Sequence, residues 1–223
     1  ATGPTGCFMK DTADVNVKPY NTWLGITSDW NDPDNWCPGV PTSATDVTIP
    51  NGLPFYPLLY DSVPVARSII IESNASIEML PESRLSIFGN FQNSGTVINK
   101  GTLTLSGATA QTYPGSTGTI AAMKILEIAN TGGGVLLDKS TYVSAELKPS
   151  SGTFALGDFD FTIRSVDTVT ARVSKLGTTS VFTYGNGRFI VERFIRQGRK
   201  WRFLSVPTNT TQSINAAWQE GAL

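Results

Sequence analysis

Residues 66–107 read ARSIIIESNASIEMLPESRLSIFGNFQNSGTVINKGTLTLSG. Five short runs lie in this stretch: Ser68–Glu72, Ser76–Leu80, Arg84–Phe88, Thr96–Asn99 and Thr102–Ser106. Each alternates apolar with polar residues and is bounded by Asn, Gly, Ser or Pro, the mark of half-buried strands between turns. One face collects Ile69, Ile71, Ile77, Met79, Leu85, Ile87, Phe91, Val97, Leu103 and Leu105, the expected core. The gaps are too short for crossover helices, which excludes a βαβ fold. An antiparallel β-sandwich fits the spacing. So does a solenoid whose coils turn short strands around a shared core. In the solenoid, Asn74, Asn90, Asn93, Gly95, Gly101 and Gly107 fall at corners and are expected to supply positive φ.

Outward from this stretch the pattern continues in Lys124–Ala129, Val135–Asp138, Tyr142–Leu147, Thr153–Leu156 and Phe159–Ile163. At roughly 20 residues per coil, these residues predict about six coils. Charge divides the chain: residues 1–64 carry 2 basic and 7 acidic side chains, 65–187 carry 9 of each, and 188–223 carry 6 and 2. We therefore expect an N-terminal extension and cap over 1–64, coils over 65–187 and the truncated start of a following β segment over 188–223. In that last segment Phe189, Val191, Phe194, Trp201, Phe203 and Leu204 interleave with Arg188, Arg193, Arg196, Arg199 and Arg202. Arg stems cover apolar surface in such patterns, and no aromatic platform or high pI points to nucleic acid. Residues 212–219 are expected to form a short helix.

Only 16% of the residues are charged, which disfavours disorder, and the Gly, Thr, Ser and Asn content disfavours helices. No apolar run approaches the ~18 residues of a membrane span. The opening ATGPTG and the ending AWQEGAL suggest a piece of a longer protein, with flanking domains as its first partners. There is no His in the chain, which removes His-based triads, His zinc sites and His proton shuttles. Carboxylate chemistry, Lys or Arg electrostatics and oxygen-ligated cations remain.

Residues 23–50, WLGITSDWNDPDNWCPGVPTSATDVTIP, hold three of the five Trp and form the expected cap. Trp23, Trp30 and Trp36 have two readings: a platform that stacks on sugars, or a plug closing the open end of the coils. Asp29, Asn31, Asp32 and Asp34, with Asn35 beside them, are the candidate calcium ligands, since calcium takes closely spaced oxygens. The competing reading is Asx-turns that satisfy their own backbone, and no EF-hand Gly or distal Glu completes a loop. Calcium is the one cofactor to consider. Cys7 and Cys37 permit one disulfide, which in an extracellular chain would add roughly 3–4 kcal/mol. For catalysis the coils offer Asp138, Asp158 and Asp160. Glycosidases and lyases need acids paired on one face, whereas Phe159-Asp160-Phe161 merely alternates, so no catalytic residue is assigned.

The cap pattern W-x-G…DW-N…NW…G-x-P-T…D-V-x-I-P resembles a segment of large secreted Bacteroidetes proteins, where it precedes β-helical coils. The likeness continues through residues 66–107 and into RFIVERFIRQGRKWRFLSVPTNTTQSINAAWQEG at 188–221. It implies a right-handed parallel β-helix with an N-terminal aromatic cap, exported by the type IX system to the outside or the cell surface. It also implies a structural or adhesive module, non-catalytic, partnered by polysaccharide or another surface protein. A carbohydrate-binding module using the Trp cap is the second expectation and a polysaccharide-active β-helix enzyme the third.

Overall fold

A computed structural model describes residues 21–60, 63–115, 117–166 and 169–194. Expectations for Cys7, residues 195–223 and the 212–219 helix lie outside these residues. The strands form a β-solenoid of about 6 turns. The first turn holds β1 (Val47–Ile49), β2 (Leu58–Leu59) and β3 (Val65–Ala66). The second holds β4 (Ile69–Ile71), β5 (Ser76–Met79) and β6 (Arg84–Ile87). The third holds β7 (Phe91–Asn93) and β8 (Thr96–Leu105), the latter bending across two walls. Then come β9 (Gln111–Tyr113), β10 (Thr119–Ala129), β11 (Val135–Leu137), β12 (Thr141–Val143) and β13 (Glu146–Ala155). The described residues close with β14 (Phe161–Ile163), β15 (Arg172–Val173), β16 (Ser180–Thr183) and β17 (Phe189–Val191).

Every ladder between these strands is parallel, which rules out the antiparallel sandwich. The one antiparallel contact among the described residues is an isolated bridge between Val166 and Val169. On the first wall Val47 pairs with Ile69 and Ile69 with Phe91. Further along this wall, β9, β11, the end of β13 and β16 stack in turn. The second wall runs β2, β5, β8, β10 and then β12, β14, β17, joined where Ser144 N–H donates to the Met123 carbonyl at 2.8 Å. The third runs β3, β6, β8, β10, β13, β15. The coils thus begin at Val47, ahead of the expected boundary at 65, and reach Val191, past 187. Pro54 and Pro57 lack the N–H of a central strand, which shortens β2 and disguises the first turn in the sequence.

All ten expected core side chains are buried, none more than 1% exposed. The strand period of 2 explains this: it sends the first and third residues of the three-residue strands β4 and β7 inward, and the second and fourth of β5 and β6. At roughly 25 cal/mol per Å² of apolar area, this continuous column is the main stabilising term. The corner residues depart from expectation. Asn74 has φ 66°, but among the described residues positive φ otherwise occurs at Asn21, at Glu82 and at glycines outside the expected set. Gly95 and Gly101 are needed for a different reason. A Cβ on Gly95 would collide with the Ala75 and Glu72 carbonyl oxygens, and one on Gly101 with the Ser83 and Leu80 carbonyls. These glycines let successive coils approach closely at the corner.

A polar spine accompanies the apolar column. Asn93, Asn99, Gln111 and Asn130 are no more than 2% exposed, yet each amide is engaged. The Asn99 Oδ1 accepts the Gly101 N–H at 2.9 Å, while its Nδ2 donates to the Ile125 carbonyl one coil on at 3.0 Å. Asn130 Oδ1 accepts from both Gly132 and Gly134, and its Nδ2 donates to the Thr109 carbonyl and to Gln111 Oε1. Burial of such groups is tolerable because their hydrogen bonds are made.

Candidate functional site

The cap is built as an unfinished coil. Thr22 bridges in parallel to Thr48 on the first wall, and Asp29 to Leu58 on the second. Trp23 N–H donates to the Thr48 carbonyl at 2.9 Å, extending the ladder by one rung. The outer side of residues 21–24 is closed in turn, since Asn21 N–H and Leu24 N–H donate to the Cys37 and Asn35 carbonyls. No bare strand edge is left there to recruit another chain.

Inside this coil the indoles pack on one another. Trp23 and Trp30 stack at 6.5 Å between centroids; Trp36 meets them edge-on at 5.1 and 4.7 Å. Their exposures are 0%, 0% and 3%, and all three join the core of the coils. Trp23 Nε1 donates to the Phe55 carbonyl at 2.8 Å and Trp36 Nε1 to the Trp30 carbonyl at 2.6 Å. The Trp30 Nε1 finds no acceptor among the described residues. The sugar platform expected of Trp23, Trp30 and Trp36 needs an open ring face, and none is presented. They plug the end of the column.

The acidic loop is turned on itself. Asp32 N-caps a short 3-10 helix, Pro33–Asn35; its Oδ1 accepts the Asp34 N–H at 3.0 Å and its Oδ2 the Thr27 hydroxyl at 2.8 Å. Asp29 Oδ1 accepts the Asn31 N–H at 2.9 Å in an Asx-turn. The Asp29 carboxylate beside Tyr60 pushes that phenol above its usual value. Buried Asn35 ties the loop down: its Oδ1 accepts from Ile26 and Thr27, and its Nδ2 donates to Thr27 and to the Asp29 carbonyl. Sequence reading placed Asn35 with the candidate ligands; it is the hub of the loop. Asp29, Asn31, Asp32 and Asp34 lie on one loop, where one carboxylate oxygen of Asp29 and both of Asp32 accept from the loop's own donors. Cys37 is buried beneath.

The coil acids are also engaged. Asp138 Oδ1 accepts the Gly115 N–H at 3.1 Å and Asp158 Oδ1 the Asn186 amide at 2.7 Å. The Arg188 guanidinium bonds Asp160 at 2.7 Å and holds its carboxyl below the usual carboxylate range. A larger charged group, unnoticed in the sequence, occupies the outside of the third wall. Glu127 accepts from Arg84 at 3.2 Å, Thr104 at 3.2 Å and Ser150 at 2.7 Å, joining four successive coils. Next to it Glu146 takes Arg172 at 3.1 Å and Lys148 at 3.8 Å. Only the register, pairing Thr104 with Glu127 and Glu127 with Lys148, brings these residues together. What this geometry defines is the class of the molecule, a capped β-solenoid. Comparison with protein-family models, curated proteins and solved structures finds no match to the chain.

Proposed function

We propose that this chain is a non-catalytic structural and adhesive module of a large secreted or cell-surface bacterial protein, of the kind carried by type IX secretion. The observation that carries the reading is how the acids are used. Asp138, Asp158 and Asp160, the pool available for hydrolysis or lyase chemistry, hold a backbone N–H, an Asn amide and a guanidinium. General acid–base work on a polysaccharide requires a carboxyl with a raised pKa facing a second carboxylate; Asp160 is shifted the other way. The plugged end and the charge pairs across coils suit a rigid element that carries load between domains. A Cys7–Cys37 disulfide under the cap belongs to the same reading, as outside a cell it would persist. No resident cofactor is assigned, and calcium stays a proposal for the 29–35 loop.

Incubating the full chain with a panel of neutral and uronic polysaccharides tests the reading. No new reducing ends and no unsaturated uronate absorbance are expected over a day. Turnover that disappears in Asp158→Asn or Asp160→Asn would sink it.

A further inference from the structure

An Asn followed by Gly is open to one spontaneous backbone reaction, because no Cβ screens the glycine nitrogen or restricts its backbone. The chain holds two such pairs, Asn51-Gly52 and Asn186-Gly187. We propose that Asn51, and not Asn186, is a modification site that deamidates in the folded protein with water as its only co-reactant.

The reaction balances without a cofactor. The Gly52 amide nitrogen gives up its proton and attacks Asn51 Cγ; the Cγ–Nδ2 bond breaks and ammonia leaves with that proton. Water then opens the succinimide, at Cγ to give aspartate or at the main-chain carbonyl to give isoaspartate. The attacking nitrogen must be unengaged and its backbone free to turn towards the side chain.

Both conditions hold at Asn51. The pair is exposed, on a bend that follows β1. The Gly52 N–H donates to no acceptor among the described residues, and a Cβ on Gly52 would meet nothing within 4 Å. The second pair differs at its glycine. Gly187 is buried, its N–H donates to the Gly157 carbonyl at 2.8 Å, and a Cβ there would collide with the Phe159 carbonyl oxygen. Both side-chain amides meet a carboxylate, Asn51 Nδ2 at Glu72 (3.3 Å) and Asn186 Nδ2 at Asp158 (2.7 Å), so the glycines decide the rates.

The site joins two coils. Glu72 Oε2 accepts from the Asn51 N–H at 3.2 Å as well as from its Nδ2. Deamidation sets a carboxylate against Glu72 in place of that donor. Isoaspartate also adds a main-chain carbon between Ile49, whose carbonyl takes the Glu72 N–H, and Leu53, which packs on the core. The tie between the first and second coils is altered once, irreversibly, as the molecule ages.

The test is peptide mass spectrometry of the full chain aged at 37 °C in mildly alkaline buffer, folded and in concentrated urea. A gain of about 1 Da is expected at Asn51. In the folded chain it should run about tenfold faster than at Asn186, the cost of freeing the Gly187 amide, and the two rates should converge in urea. Asn51→Gln, whose longer side chain closes a ring slowly, should remove the gain at that peptide, and Asn186→Gln should leave it unchanged. No gain at Asn51 in the folded chain, or an equal or faster gain at Asn186, overturns the proposal.

Discussion

Asn130 shows what a single buried amide contributes to this molecule. Its four hydrogen bonds join two glycine amides at a corner to the coil before it. Asn130→Ala strands those groups away from water, at ~1–3 kcal/mol for each unsatisfied partner. We expect a loss of at least about 3 kcal/mol in urea unfolding, whereas Asn74→Gly, at an exposed corner with φ 66°, should be near neutral. The inward side chains from Ile69 to Leu105 were legible because alternation fixes which face a strand residue takes. The roles of Gly95 and Gly101 were not. A sequence marks glycine at a corner but does not say whether φ or the neighbouring coil demands it.

At the scale of the strand, parallel register decides which distant residues meet. Phe161, Thr162 and Ile163 lie against Phe189, Ile190 and Val191, and this brings Arg188 beside Asp160. On the first wall the same logic brings Arg67 to Asp46, which holds that carboxyl low as well. Both acids have folded pKa values below their unfolded ones. Their contribution is therefore complete above about pH 4, the ordinary Asp range, and is lost as pH falls through the depressed values. Both pairs are solvent-exposed, so the effect is small. Arg188→Ala should leave the melting temperature at pH 7 nearly unchanged and flatten part of its fall between about pH 4 and 2. An identical acid slope in the variant would contradict this account. Glu127 with Arg84, Thr104 and Ser150 could not be foreseen, since irregular coil lengths place Thr102 18 residues after Arg84 and Phe189 28 after Phe161.

At the scale of the molecule, a stack of parallel coils has two ends, and each would expose core and backbone edge unless covered. The N-terminal end carries Trp23, Trp30 and Trp36 inside an unfinished coil. The position of the Trp motif ahead of the repeats foretold a plug; its acidic loop, read in isolation, suggested a ligand site instead. Deleting residues 1–46 should uncover Val47, Ile49 and Leu59, all buried now. We expect the truncated chain to self-associate at micromolar concentration in light scattering, with a melting temperature well below that of the full chain. A monodisperse monomer of equal stability would show that the cap is dispensable.

The link that Glu127 makes across four coils gains another meaning if the module is pulled along its axis. Coils joined by rows of parallel hydrogen bonds yield one rung at a time, like tape lifted from its end, each releasing about 20 residues or some 65–70 Å of slack. Residues that tie only neighbours fail with their own coil. Glu127 instead grips Arg84 two coils back and Ser150 further on, so peeling from either end meets a knot midway. An adhesive built this way would lengthen under load, dissipate work in steps and hold its centre until last.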